Sequence, residues 1–212
     1  MFDFEEYKKI KKNIDFSGKN TKILAISKNH PLEDVQEAIS CGLEIFGENR
    51  VQEAKLKFEK IKENNKKIKL HLTGPLQTNK VSNALKLFDV FHTIDREKLL
   101  KELSKHPEMV KKKSFFIQLN TGKEVTKSGI FPEDAKGFLE LCKLYGLNKV
   151  SGFMCIPPIN ESSKKHFQII NELTNECGLG RPSIGMSSDY EHALEFDPKY
   201  IRVGTILFGK RK

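Results

Sequence analysis

The chain has 212 residues, 38% hydrophobic and 31% charged, with 37 Lys and Arg against 28 Asp and Glu for a net charge of +9. That balance describes a folded protein of one large or two small domains and excludes a disordered chain, and no run approaches the ~18 apolar residues of a membrane span. The lysines are dispersed over expected helix faces, loops and the end of the chain (Lys210, Lys212), arginine is scarce and tryptophan absent, so the charge reads as a solvated surface that attracts anions rather than a nucleic-acid platform.

Residues 4–13 read as an amphipathic helix, without the apolar stretch of a signal peptide, which predicts a cytoplasmic protein. The first apolar run, 23–27 (ILAIS), reads as a strand that ends in Lys28. A helix over 31–41, opened by Pro31 and closed by Gly42, leads to a strand at 43–46 (LEIF) and then to Gly47, Glu48 and Asn49. A helix over 48–63 follows, with Val51, Ala54, Leu56, Phe58 and Ile61 on roughly one broad face, and then a strand at 68–72 that contains His71. Further on, helices over 79–88, 96–105, 132–145, 161–177 and 187–196 alternate with strands at 89–93 (holding His92), 114–119, 149–154, 182–185 and 200–203.

Eight alternating strands and helices predict a parallel sheet closed into a (β/α)8 TIM barrel, one domain over 1–212 with an extra helix at its N-terminus. An open doubly wound sheet would put a glycine-rich loop after its first strand, whereas 27–31 reads SKNHP. Cys41, Cys142, Cys155 and Cys177 form no CxxC pair and the histidines no HxH or HExxH pattern, so neither a disulfide framework nor a metal site is expected.

In such a barrel the chemistry sits at the C-terminal ends of the strands. Lys28 at the mouth of the first strand is either a partly desolvated amine, freed as a nucleophile toward a carbonyl, or one more loop lysine. Ser187, Gly204 and Thr205 offer hydroxyls and backbone N–H groups that suit a phosphate, and equally suit ordinary turns and caps. Arg202 faces outward into a salt bridge or inward to a polar ligand, because an inward charge without a partner is costly. His71 and His92, within apolar strands, read first as hydrogen-bonded core residues. An amine, an anion cradle and a polar group between them suit pyridoxal phosphate, which has an aldehyde, a phosphate and a ring nitrogen.

The segments ILAISKNHP around Lys28, FGENRVQEA at 46–54, HLTGPLQTNK at 71–80, KSGI at 127–130, GFMCIP at 152–157, GMSSDY at 185–190 and IRVGTILFGKR at 201–211 resemble the YggS/PROSC family of pyridoxal-phosphate homeostasis proteins, also called PLPBP. The resemblance covers nearly the whole chain. It implies the fold of the N-terminal barrel of alanine racemase, with Lys28 as the Schiff-base lysine, Ser187, Gly204 and Thr205 as phosphate binders, Arg202 facing the pyridine nitrogen, and Asn49 and His71 near the cofactor. Leu70 and Thr73 replace the family's usual aromatic and isoleucine, with no expected change in a cofactor contact. The function so implied is a cytoplasmic, monomeric carrier of pyridoxal 5′-phosphate, without robust catalysis, that serves apo forms of enzymes using this cofactor and binds neither nucleic acid nor membrane. The alternative is a low-activity amino-acid racemase. Against it, racemases of this barrel add a tyrosine from a C-terminal β-domain, for which the sequence after the last strand leaves no expected room.

Overall fold

The protein is described by a computed structural model over residues 1–209. Among these, eight parallel strands close into a barrel in chain order: β1 (Lys22–Ile26), β2 (Ile45–Glu48), β3 (Lys69–Leu72), β4 (Val90–Ile94), β5 (Ser114–Leu119), β6 (Val150–Cys155), β7 (Ser183–Met186) and β8 (Tyr200–Val203). The seam pairs β1 with β8, from Lys22 opposite Tyr200 to Ala25 opposite Val203. The expected barrel class is therefore the observed one. Around it lie α1 (Phe4–Phe16), α2 (Leu32–Ser40), α3 (Val51–Asn64), α4 (Val81–Leu87), α5 (Glu97–Leu103), α6 (Pro107–Val110), α7 (Ala135–Leu144), α8 (Ser163–Glu176), α9 (Tyr190–Leu194) and α10 (Thr205–Phe208).

Strand alternation divides the buried side chains into two layers. Leu24, Val90, Phe116, Met154 and Tyr200 fill the barrel interior, while Phe46, Phe58, Phe91, Phe115 and Phe153 pack between sheet and helices. Each such fully buried phenylalanine contributes about 1.5–3 kcal/mol relative to exposure. Helix α1 starts where Asp3 accepts the Glu6 N–H at 3.0 Å, and it buries Tyr7, Ile10 and Ile14. Its approach is fixed by the Asp3 N–H donating to Leu207 O at 2.7 Å and by the Phe2 and Phe208 rings 5.7 Å apart. Helix α2 stops at Gly42, whose φ of 92° lets the Gly42 and Leu43 N–H groups turn back to Ile39 O and Ala38 O.

Several expected boundaries move. Glu48, expected to open a helix, is the last residue of β2 and fully buried. The helix expected from Ser187 starts at Tyr190, because the Asp189 side chain takes the Met186 N–H at 2.6 Å and holds 186–189 as a turn. The short α6 and α10 were not expected from periodicity, since four residues carry too little of it. Cys142 and Cys155 are buried and Cys41 and Cys177 partly so, all with free thiols, and burial pushes both Cys142 and Cys155 up to about 12. Among the described residues no helix is long and apolar enough to cross a membrane, and no group of three or more His, Cys, Asp or Glu could hold a metal. Lys210 and Lys212, and the end of the 201–211 motif, lie outside the described residues.

Candidate functional site

Two cavities of about 610 Å³ exist among the described residues. One lies on the flank between α3 and α4 and is walled by solvated lysines and acids such as the Lys62–Asp89 pair, 2.6 Å apart. The other opens at the C-terminal ends of β1, β2, β7 and β8 and gathers Lys28, Asn49, Ser187, Arg202, Gly204 and Thr205. Convergent polar groups at the strand ends of a barrel make the second the candidate functional cavity. Ile26, Ile156, Met186 and Ile206 give it apolar walls.

Lys28 follows directly from β1 and lines this cavity beside His30. Asn49 comes from the end of β2, where the Thr73 hydroxyl donates to its Oδ1 at 3.0 Å. Thr73 thus touches a candidate site residue. Leu70 is fully buried in the outer layer. Gly74 lies so close behind Asn49 that a Cβ would stand 2.4 Å from Asn49 O, so only glycine lets the β3 loop support this wall.

Across the seam, the Gly204 and Ile206 N–H groups both point at Ser187 Oγ, at 3.2 and 3.4 Å. Two donors on one hydroxyl oxygen leave its own proton to be donated elsewhere. The Ser187 proton and the exposed Thr205 hydroxyl are the free donors, and the two N–H groups join them where a phosphate oxygen takes the place of Ser187 Oγ as their acceptor, a set chemically suited to phosphate. Gly204 is also pressed against β1: a Cβ there would come within 3.1 Å of Ile26 O.

Arg202 points inward and is 5% exposed. Its Nη1 donates to Ser183 O and Ser183 Oγ, at 2.6 and 2.9 Å, and its Nη2 donates to Cys155 O at 2.7 Å. No carboxylate among the described residues pairs with it. Of the five guanidinium N–H donors, the Nε–H and one Nη2–H are left for the cavity. Burial pulls its pKa below the ordinary arginine value, opposed by the nearby Cys155 and Asp189.

Behind the arginine runs a buried polar chain. Ser183 Oγ is 3.0 Å from His92 Nδ1, and His92 Nε2 is 3.0 Å from His71 Nδ1. Arg202 can only donate, so Ser183 Oγ accepts from it and has one lone pair and one proton with which to meet either tautomer of His92. With both rings neutral, one proton is shared along the His92 Nε2–His71 Nδ1 contact. Burial, the largest cause, holds both imidazoles neutral, His71 down to about 3 and His92 well below its ordinary value. His71 therefore lies in the barrel interior, edge-on to Tyr200 with ring centroids 4.8 Å apart, and does not line the cavity. Its polar link to Arg202 runs through His92 and Ser183. Ser183 itself was missed, because a serine in the short run PSIG has no signal of its own. The useful signal was its register, one strand from an inward arginine.

The family model described as "Alanine racemase, N-terminal domain" matches residues 5–212. The chain is 37% identical over 203 residues to the pyridoxal phosphate homeostasis protein of Aquifex aeolicus, covering 90% of this chain and 87% of that one. It is similar to the solved structure of PipY from Synechococcus elongatus with PLP bound, at 32% identity and a TM-score of 0.77, covering 90% of this chain and 93% of that one. The alanine racemase of Acinetobacter baumannii shares the fold, at 15% identity and a TM-score of 0.73, with 97% of this chain on 61% of that one.

Proposed function

The chain belongs to the family of pyridoxal phosphate homeostasis proteins, built on the alanine racemase N-terminal domain, and from this premise we propose that it holds pyridoxal 5′-phosphate on Lys28 as a carrier, without robust catalysis. The observation that carries this reading is the convergence of an amine, a phosphate-type donor set and a donor-only cation in one cavity. Bound there, the cofactor supplies an aldehyde carbon that takes an amine reversibly and a phosphate that takes hydrogen bonds.

Lys28 brings the amine. Ser187, Gly204 and Thr205, with the Ile206 N–H, hold the phosphate oxygens. Arg202 turns its remaining N–H donors to the ring nitrogen. Since guanidinium accepts no proton and stays charged, it keeps that nitrogen unprotonated and limits the electron withdrawal on which carbanion chemistry depends. Asn49 shapes the wall opposite the seam.

The side chains available as a second base also favour holding over turnover. Among the described residues no tyrosine lines the cavity. Tyr200 is in the barrel interior, and Tyr190 Oη is 2.9 Å from Asn13 Nδ2. His30, on the cavity wall, stands 3.6 Å from Asp34 Oδ2 and beside the Phe208 ring. A holder with an open mouth suits handover to apo-enzymes, in a cytoplasmic, monomeric protein of one domain.

The test is borohydride treatment of protein mixed with pyridoxal 5′-phosphate, followed by peptide mass mapping. A pyridoxyl adduct on the peptide containing Lys28, absent in Lys28→Ala, is expected. An adduct spread over other lysines, or an unchanged absorbance spectrum in Lys28→Ala, overturns the assignment. Rapid exchange of an amino acid's α-proton into deuterated water, lost in Lys28→Ala, would overturn the non-catalytic part alone.

A further inference from the structure

One buried ammonium lies under the turn that carries Lys28. Lys57, in the second turn of α3, places its Nζ 2.7 Å from Ser27 O and 3.2 Å from His30 O, two carbonyls that bracket Lys28. The same Nζ is 2.6 Å from Glu48 Oε1 and 2.9 Å from Glu53 Oε1. The two carboxylates complete the frame: Ser27 Oγ–H donates to Glu48 Oε1 at 2.7 Å, and the Asn29 N–H donates to Glu53 Oε1 at 2.6 Å. Asn29 is held at φ 61°, a left-handed conformation that needs such outside support. Thus three backbone groups beside Lys28, one before it and two after it, are tied to charges from α3, and the Ser27 hydroxyl is tied to one from β2.

This arrangement is expensive for packing alone. Lys57 is 8% exposed and Glu48 fully buried, and desolvating such a pair often costs more than an apolar pair of equal volume. What the charges add is direction, because hydrogen bonds from one fixed nitrogen set the path of the turn while apolar contact would let it slide. We infer that Lys57 is a positioning residue, anchored by Glu48 and Glu53, that sets where the Lys28 amine enters the cavity. The inference rests on the reading of Lys28 given above; the framing of the turn does not.

The experiment compares Glu53→Ala, Lys57→Met and Lys57→Arg with the unchanged chain. In protein without added cofactor, amide hydrogen exchange at Asn29 and His30 is expected to rise at least ten-fold in E53A and K57M, with the rest of the barrel unaltered in E53A. With pyridoxal 5′-phosphate, the rate of borohydride-trapped adduct at Lys28 is expected to fall at least ten-fold in both and the absorbance band to move. Lys57→Arg, which keeps the donors, is expected to recover part of that rate. Should K57M fail to fold, E53A, on a half-buried side chain, decides alone. Unchanged exchange at Asn29 and His30 in E53A overturns the inference, as does slowed trapping that arises with no change in exchange. Failure of the unchanged chain to form the Lys28 adduct would instead refute the site reading, and the exchange measurement would still decide whether the turn is framed in this way.

Discussion

Arg202 Nη1 lies 2.9 Å from Ser183 Oγ, and that contact joins the guanidinium, held as well by Ser183 O and Cys155 O, to the two neutral imidazoles behind it. Replacing Ser183 by alanine removes the hydroxyl and leaves His92 Nδ1 without its partner. The loss of two buried hydrogen bonds should cost about 1–3 kcal/mol, read as a shift in the urea unfolding midpoint. The absorbance band of the protein loaded with pyridoxal 5′-phosphate should move as well, because the guanidinium keeps its two carbonyl acceptors but loses the hydroxyl that links it to the imidazoles. A stability and spectrum both equal to those of the unchanged chain would show that Arg202 needs no such anchor.

Ser187→Ala should weaken binding of pyridoxal 5′-phosphate about ten-fold, the size of one lost hydrogen bond to a charged group. Binding of pyridoxal, which lacks the phosphate, should not change. Absorbance titrations with the two compounds separate the outcomes, and equal losses for both would place the phosphate elsewhere.

Stability should fall as pH drops through the region where free histidine takes up a proton. His71 is held at about 3 against an ordinary 6.5, chiefly by burial, and His92 shifts the same way. The unfolded chain therefore binds more protons than the folded one below pH 6.5, so the contribution is fully present above that value and is lost on acidification toward pH 3. By pH 5 the loss is about 2 kcal/mol for His71, and His92 acts in the same direction. Urea unfolding at a series of pH values measures this, and a flat profile between pH 7 and roughly 5 would contradict the neutral pair. His71→Gln should reduce the slope.

Gly185→Ala should be among the more damaging small changes. Gly185 has φ 88°, and a Cβ there would stand 2.6 Å from Ala193 Cβ and 3.1 Å from Tyr190 Cα. Left-handed strain plus overpacking should amount to about 2–4 kcal/mol, measurable by thermal unfolding. Because Gly185 precedes the turn that presents Ser187, the affinity for pyridoxal 5′-phosphate should fall with it.

The barrel was legible because each strand and helix carries its own period, and the seven candidate residues were legible where a motif placed them at strand ends. Six of the seven line one cavity. What periodicity could not show was direction within short buried strands. All four residues of β8 are buried, so alternation alone did not tell whether Arg202 faced in or out. Glu48 read as a helix opener because an ionised side chain is rarely expected in a fully buried strand, and only its distant partner Lys57 makes that burial tolerable. His71 read as a hydrogen-bonded core residue from its apolar strand, but its partner His92 could not be named, because it lies on the neighbouring strand. In each case the deciding neighbour lies on another strand or helix, beyond the reach of local spacing.

The pairing of Lys22–Ala25 with Tyr200–Val203 also sets an order of events during synthesis. Lys28 leaves the ribosome with the first strand, while Arg202, Gly204 and Thr205 emerge only with the eighth. Joining β1 to β8 closes a loop that spans the whole barrel, the slowest kind of contact to form. A nascent chain therefore exposes the Lys28 amine long before its cavity partners exist, and the cavity is completed only as β8 docks.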